Sequence, residues 1–506
     1  MSTGPSKRLP TLDPGRSTVC ASEVSDVFGD RSAWRTVTDP ADRECEVLVL
    51  GAGYAGLSAA RVLAAAGVDV VVVEARDRVG GRVWTEASDS GAVVDHGGQW
   101  IGPGQDRLGE LADELGVATF PTFTTGECVE VRDGARHTYA GLVPTSDPAA
   151  AAEGVEAIFD LDLACREVPV RAPWEAADAE ELDSQTLGSW LSTHVESPGA
   201  RSMIATAVKG IFGAEPGEMS LLFTLFYLHS GGGLMNLART TGGAQESRFC
   251  GGAQQLALRI AEELGDRVVL SSPVSGVDHG SESVVATIAP GPQAVGDPRT
   301  QRTQAFRVRA QRAVVAMSPV LSSRIHWSPR LPAQRDHLAM RSPMGRVWKV
   351  HAVYETPFWR DEGLNGQLVA SEGALRLTFD DSPEDASHGV IVGFVAGNEY
   401  QVVASMSHPA RHEALLGDLA RAFGPKAAEP VELIEQDWPA EQFTLGGPVT
   451  VMSPWALTGF GPALREPVGP VHWAGTETAF EWCGYIDGAI SSGERAAAEV
   501  MAALGH

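Results

Sequence analysis

The sequence predicts an α/β protein of two domains: a dinucleotide-binding unit on a parallel sheet, and a second unit of mixed α+β structure. Three observations predict it. A strand, a glycine turn, a helix and a second strand follow one another between residues 46 and 74. Strand, turn and helix return between residues 471 and 504. The chain, at 506 residues, exceeds the size at which one hydrophobic core stops growing.

Residues 1 to about 44 are rich in Ser, Thr, Asp, Pro and Arg, and carry no sustained period. They predict an N-terminal extension. Glu46-Val47-Leu48-Val49-Leu50 is a short continuous apolar run, suited to a buried parallel strand. Gly51-Ala52-Gly53-Tyr54-Ala55-Gly56 follows at once, then an Ala-rich helix from Leu57 to Ala66, stopped by Gly67. Val70 to Val73 is a second strand, ending at Glu74.

A lone G-x-G-x-x-G is weak evidence. Here it follows a strand, opens a helix and is followed by an acid 23 positions beyond Gly51. Gly51 permits a tight turn, Gly53 lets backbone approach a pyrophosphate, and Gly56 lets the helix pack close to the sheet. The helix N-terminus turns free N–H groups towards phosphate, and Glu74 can accept from ribose hydroxyls. The first domain is therefore expected to be Rossmann-like.

The middle of the chain mixes both kinds of element. Residues 150 to 230 read as helical, with an acidic stretch around Glu175 to Asp183. Val268 to Leu270 and Ala313 to Ala316 read as strands, Ala289 to Gln304 as a loop, and Arg346 to Tyr354 as a strand. Val471 to Ala474 is a strand, Gly475 to Thr478 a turn, and a helix runs from about Tyr485 to Leu504.

Composition excludes several functions. A net charge of −26 disfavours nucleic acid, whose phosphates need clustered Lys and Arg. The six cysteines are scattered without metal-ligand spacing and read as reduced thiols, so no metal is expected. No run of about 18 apolar residues is present, and no apolar stretch follows Lys7 and Arg8. A cytoplasmic protein with no membrane partner is expected.

Further motifs narrow the dinucleotide. Glu74-Ala75-Arg76 leads into Gly80-Gly81-Arg82, and Asp95-His96-Gly97-Gly98-Gln99-Trp100-Ile101 follows. Thr241-Gly242-Gly243-Ala244-Gln245-Glu246 and Cys250-Gly251-Gly252-Ala253-Gln254 lie in the centre. Lys349, one of four lysines, is embedded in Arg346 to Tyr354. Ala474-Gly475-Thr476-Glu477-Thr478 and Glu481-Trp482-Cys483-Gly484-Tyr485-Ile486-Asp487-Gly488-Ala489 close the chain. This set resembles the flavin monoamine oxidase family of FAD-dependent amine oxidoreductases, over roughly residues 46 to 504.

The resemblance implies non-covalent FAD. It is held by Gly51, Gly53, Gly56, Glu74, Ala75, Arg76, Gly81, Arg82, Gly98, Gln99, Trp100, Val274, Gly475, Glu477, Tyr485 and Ile486. Lys349, Tyr485 and Trp482 are implied as catalytic, with Lys349 holding a water beside the flavin. Gln245 and Pro448 are implied at the substrate, and Trp455 is expected there as a ring, like Phe460, able to replace the aromatic that is missing at Pro448. The implied fold is a Rossmann-like FAD-binding domain, in stretches 45–135, 240–320 and 440–506, with a mixed α+β substrate-binding domain of 136–239 and 321–439. The implied reaction removes a hydride from the carbon next to an amine nitrogen. The resulting imine hydrolyses to an aldehyde or ketone, and O2 is reduced to H2O2. A homodimer is compatible with it.

Lys349 also stands out on its own chemistry, since a charge in an apolar strand calls for a reason. His351, two residues on, shares its strand face and reads as a hydrogen-bonded structural residue. The chain departs from the family at Pro448, where relatives carry one of two aromatic rings that flank the amine. Gly447 falls where some relatives tether flavin through cysteine. Two other readings stay open on the same fold, and the missing ring slightly favours the first. One is a desaturase or oxidase of a non-amine or secondary-metabolite scaffold. The other is a binding protein of the GDP-dissociation-inhibitor type.

Overall fold

A computed structural model describes residues 42–290 and 305–506. Nearly all of the expected N-terminal extension and of the expected loop from Ala289 to Gln304 lies outside the described residues. The first strand is longer than its apolar run, Arg43–Leu50. Only its second half is buried on both faces, and Val47 to Leu50 are fully enclosed. That half pairs in parallel with Val70–Val73 on one side and with Phe306–Ala316 on the other.

The Phe306–Ala316 strand organises the rest of this eight-stranded sheet. Its start pairs antiparallel with Val284–Ile288, and its end pairs in parallel with Val471–Ala474. The C-terminal strand thus lies two places from the glycine turn. Val268–Val269, Val274–His279 and His326–Ser328 complete the sheet. The Tyr54–Ala65 helix and the Ile486–Leu504 helix pack together over one face, close enough that a Cβ on Gly493 would fall 2.1 Å from the Ala55 carbonyl oxygen.

The second sheet runs Glu432–Asp437, Val347–Tyr354, Gly389–Ala396, Leu377–Asp380, Leu364–Ala370, Glu127–Arg132, Ala135–Tyr139. Every residue of Val347–Tyr354 is buried, because strands pair on both its edges. Helices Pro148–Ala164, Pro198–Phe212 and Leu221–Ser230 enclose a separate apolar core with Met452, Leu457 and Trp482.

Two segments fall on the other side of the expected boundaries. Glu127–Arg132 joins the second sheet, because its parallel partner is Leu364–Ala370. His326–Ser328 joins the first, beside Val274–His279. Cys45, Cys128, Cys165 and Cys483 are free thiols. Among the described residues, no helix is long and apolar enough to cross a membrane.

The glycine turn allows little change. A Cβ on Gly56 would stand 1.9 Å from the Gly51 carbonyl oxygen. Gly56→Ala is expected to force the helix off the sheet and lower stability by about 1–3 kcal/mol, the usual range for overpacking. Urea unfolding of the variant measures this, and an unchanged midpoint would show that the helix can yield.

Candidate active site

A cavity of about 620 Å³ runs from the Gly51 turn, along the end of the first sheet, to the helices over the second. That is within the usual range for a ligand site. Its first arm is built by two glycine segments folded onto each other. Gly51 has φ +103°, which only glycine adopts without strain, and a Cβ there would meet the Ala316 carbonyl oxygen at 2.9 Å. The Gly80 amide donates to the Ala52 carbonyl at 2.9 Å. A Cβ on Gly81 would lie 3.2 Å from the Gly53 Cα.

Glu74 braces this turn. Its carboxylate accepts from the Ala52 amide at 2.7 Å and the Arg76 amide at 3.0 Å. Each oxygen keeps a lone pair for a hydroxyl from the cavity. Two helix N-termini open on the cavity, at Gly53-Tyr54 and Tyr485-Ile486, and neither cap residue spends a side chain on the free amides. Ala75, Arg76, Gly98, Gln99, Trp100, Val274 and Gly475 line the same cavity.

Arg82 sits where the early and late chain segments meet. Its guanidinium donates to both oxygens of Glu477, at 2.6 and 3.0 Å, and to the Pro448 carbonyl at 2.7 Å. Glu477 is 1% exposed and does not line the cavity; its carboxylate holds Arg82, which does. Glu477 was expected near the ribityl and phosphate part of FAD. Gly56 also stands back from the cavity, under the helix.

The second arm is apolar. Leu142, Ile158, Met203, Ile211, Met235 and Leu377 are among its walls. Gln245 enters it, with its side-chain amide donating to the Leu237 carbonyl at 2.9 Å and its buried Oε1 without a partner. Tyr485 and Pro448 line the junction of the arms. Burial pushes the Tyr485 hydroxyl well above the usual phenol range, so it presents a neutral ring.

Two tryptophans take other roles than expected. Trp482 does not line the cavity. Its Nε1 donates to the Gly104 carbonyl at 2.6 Å, and its ring stands edge-on to Tyr485 at 5.1 Å. It braces Tyr485 from behind. Trp455 is 51% exposed and does not line the cavity; its backbone caps the short Ala456–Phe460 helix. Counting aromatic residues near a motif could not reveal which way either ring turns.

Lys349 lies at the junction, 2% exposed. Its ammonium donates to the Asp95 carbonyl at 2.5 Å, to the Gly97 carbonyl at 2.9 Å and to Gln99 Oε1. All three donors are engaged, so a water held there must share one of them. Burial brings the ammonium down to about 8, against the pull of Asp381 and Asp95. His351 is not hydrogen-bonded: both ring nitrogens lack partners, and Nε2 faces Asp381 Oδ2 at 3.6 Å. Burial and the nearby Lys349 charge hold it neutral.

Asp95, Arg248 and Asp381 complete this buried group; Asp95 stood in a quoted motif without a role of its own, and Arg248 and Asp381 were not singled out in the sequence. Burial raises Asp95 to about 6. The acid pair Asp380-Asp381 at a strand end was the available signal. Elsewhere His408, His412 and Glu435 converge, but Arg411 holds both Glu435 oxygens, at 2.6 and 3.2 Å. That carboxylate already has its cation.

The cavity fits FAD on three counts. Two glycine segments leave no room for a side chain where a pyrophosphate would pass. Uncapped helix ends face it. Ser318 Oγ, Trp100 Nε1 and His96 Nδ1 are buried, unpartnered polar atoms on residues of its walls.

Known proteins agree with this geometry. Residues 54–501 match the family model for flavin containing amine oxidoreductase. The putative flavin-containing monoamine oxidase AofH of Mycobacterium tuberculosis is 38% identical, over 93% of this chain and 99% of that one. Cyclohexylamine oxidase from Brevibacterium oxydans is 35% identical with a TM-score of 0.85, over 91% of this chain and all of that one. Putrescine oxidase bound to putrescine is 34% identical with a TM-score of 0.84, over 91% of this chain and 99% of that one.

Proposed function

Because the chain belongs to the flavin containing amine oxidoreductase family, we propose that its cavity holds FAD along the first sheet and oxidises an amine with a bulky apolar body in the second arm. FAD-dependent amine oxidation is the activity. Bound FAD supplies the hydride acceptor, for the hydrogen on the carbon next to the amine nitrogen. The single observation that carries the substrate reading is the continuity of the cavity from the glycine turn, past Tyr485 and Lys349, into apolar walls.

The protein's part is to orient and desolvate. Hydride leaves only if the nitrogen lone pair is free and aligned. Apolar walls disfavour the ammonium and so favour the neutral amine. Gln245 Oε1 can accept from the amine N–H, and the Tyr485 ring limits where the nitrogen sits. The imine formed hydrolyses to an aldehyde or ketone. Dioxygen as acceptor, hydrogen peroxide as product and a cytoplasmic location belong to the same proposal.

Pro448 gives the site more room than an aromatic ring would. A broad aliphatic or alicyclic substrate fills that room, and alignment is worth having, since an ångström of misplacement can slow a reaction about 100-fold. The apolar arm separates cyclohexylamine-like from putrescine-like substrates. A second ammonium buried there unpaired costs several kcal/mol.

Anaerobic mixing with an amine panel tests this, with bleaching of the flavin as the signal. Cyclohexylamine is expected to reduce it at least about 100-fold more efficiently than putrescine, since each 1.4 kcal/mol is tenfold. Equal efficiencies would remove the apolar-body reading. A flavin bleached only by non-amine compounds would remove the amine from this site.

A further inference from the structure

Behind Lys349 lies a chain of contacts that the reaction does not itself require. Gln99, 1% exposed, bridges two charges. Its Oε1 receives the Lys349 ammonium, and its Nε2 donates to Asp381 Oδ1 at 2.5 Å. A carboxamide between an ammonium and a carboxylate has one orientation that satisfies both ends, carbonyl to the cation and amino to the anion. Asp381 therefore anchors the far end of Gln99 and holds its carbonyl oxygen against Lys349.

We propose that Asp381 is the positioning residue for Lys349, acting through Gln99. The inference rests on the placement of Lys349 at the reaction centre. Asp381 is itself held from several sides. Its amide donates to the Val390 carbonyl at 2.7 Å. Arg248 Nε stands 3.2 Å from its Oδ1, and the same guanidinium donates to the Ser382 carbonyl at 2.9 Å. With its backbone and a neighbouring cation fixed, the carboxylate presents Oδ1 to Gln99 and Oδ2 to His351.

The charges around Lys349 make this carboxylate consequential. From the Val93–Asp95 strand and the residues after it come Asp95 and His96. Arg248 comes from the Ser247–Phe249 strand, and His351 from the strand of Lys349 itself. The Glu432–Asp437 strand sets Gln436 beside Lys349. Asp380 turns away to Arg360, which holds both its oxygens at 2.8 Å. Burial lowers His96 to about 4 and His351 well below the usual histidine range, so neither adds positive charge at neutral pH. Asp95 is raised to about 6, and its Oδ1 is committed to Thr85 and the Ala253 amide. Asp95 and Asp381 both act on Lys349 and Arg248, but only Asp381 reaches the ammonium through Gln99. Without it, the Gln99 amino group loses its acceptor, and the carboxamide is no longer held against the ammonium.

The chain has four lysines, so holoenzyme carrying lysine labelled with carbon-13 at the ε position gives few signals. Lys349→Met identifies the one that matters. In the unsubstituted holoenzyme that signal is expected to titrate near pH 8. In Asp381→Asn its midpoint should fall by about one unit or more, the effect of losing an opposite charge at close range. Gln99→Leu keeps the carboxylate and breaks the bridge, and should also lower the midpoint. An unmoved midpoint in FAD-loaded Asp381→Asn overturns the proposal. Should that variant not fold, an unmoved midpoint in Gln99→Leu overturns it equally. The pH profile of flavin reduction should shift in the same direction. No amine is present in the titration, so its failure leaves the substrate reading intact, and failure of the amine panel leaves the titration intact.

Discussion

Arg82→Ala is expected to abolish FAD retention and to lower stability by about 3–5 kcal/mol, the range for removing one partner of a buried ion pair. The loss falls on Glu477, 1% exposed, whose two oxygens would face no cation. The Pro448 carbonyl would lose its donor as well. Arg82→Lys should be intermediate, because an ammonium cannot reproduce the two-pronged contact. The double variant Arg82→Met with Glu477→Leu separates the two roles. It should recover most of the stability, since apolar groups can replace a buried pair at little cost, yet still bind no FAD. Denaturant unfolding and the flavin absorbance of the purified protein measure the two effects. A stable, yellow Arg82→Ala protein would show that Arg82 supports neither.

Lys349→Met is the second large effect. It leaves the Asp95 and Gly97 carbonyls and Gln99 Oε1 without their donor, and Asp381 and Asp95 with Arg248 but without the Lys349 charge. A loss of about 3 kcal/mol is expected near pH 7. FAD should stay bound, because the glycine segments and Arg82 are untouched, while flavin reduction or reoxidation slows. The effect has a pH signature. Burial lowers the ammonium from 10.5 to about 8. Between those values the unfolded chain holds more protons at this site than the folded protein, so the site's contribution to stability rises with pH across that window. The rise approaches about 3 kcal/mol at 1.4 kcal/mol per unit. Subtracting the variant's pH dependence from that of the unsubstituted protein removes the contributions of other groups. A flat difference from pH 8 to 10.5 would mean that Lys349 is not buried as a cation.

The legible parts of this fold are those where local pattern and local partner coincide. Val47 to Leu50, the glycine turn and Val70 to Val73 read directly, because the strands pair with each other across one helix. Lys349 was legible as a charge in an apolar run. Glu127–Arg132 was not assigned correctly, because its partner lies over 230 residues away and hydrophobic period carries no address. Trp455 and Trp482 failed for another reason. Both have positive φ, +67° and +52°, so their side chains leave the backbone in directions that ordinary strand or helix reasoning does not anticipate. Asp381 was hidden because an acid beside Ser382-Pro383 reads as a turn residue until the sheet brings Gln99 against it.

The Tyr54–Ala65 helix is locked by the Ile486–Leu504 helix, which is made more than 400 residues later. Gly493 presses on Ala55, and Arg82 waits for Glu477. At the usual pace of synthesis, the early glycine unit stands without these neighbours for tens of seconds. Nascent chains shorter than about residue 490 should therefore emerge colourless, their apolar strands open to chaperones, and the flavin should be captured only once the Ile486–Leu504 helix has been made.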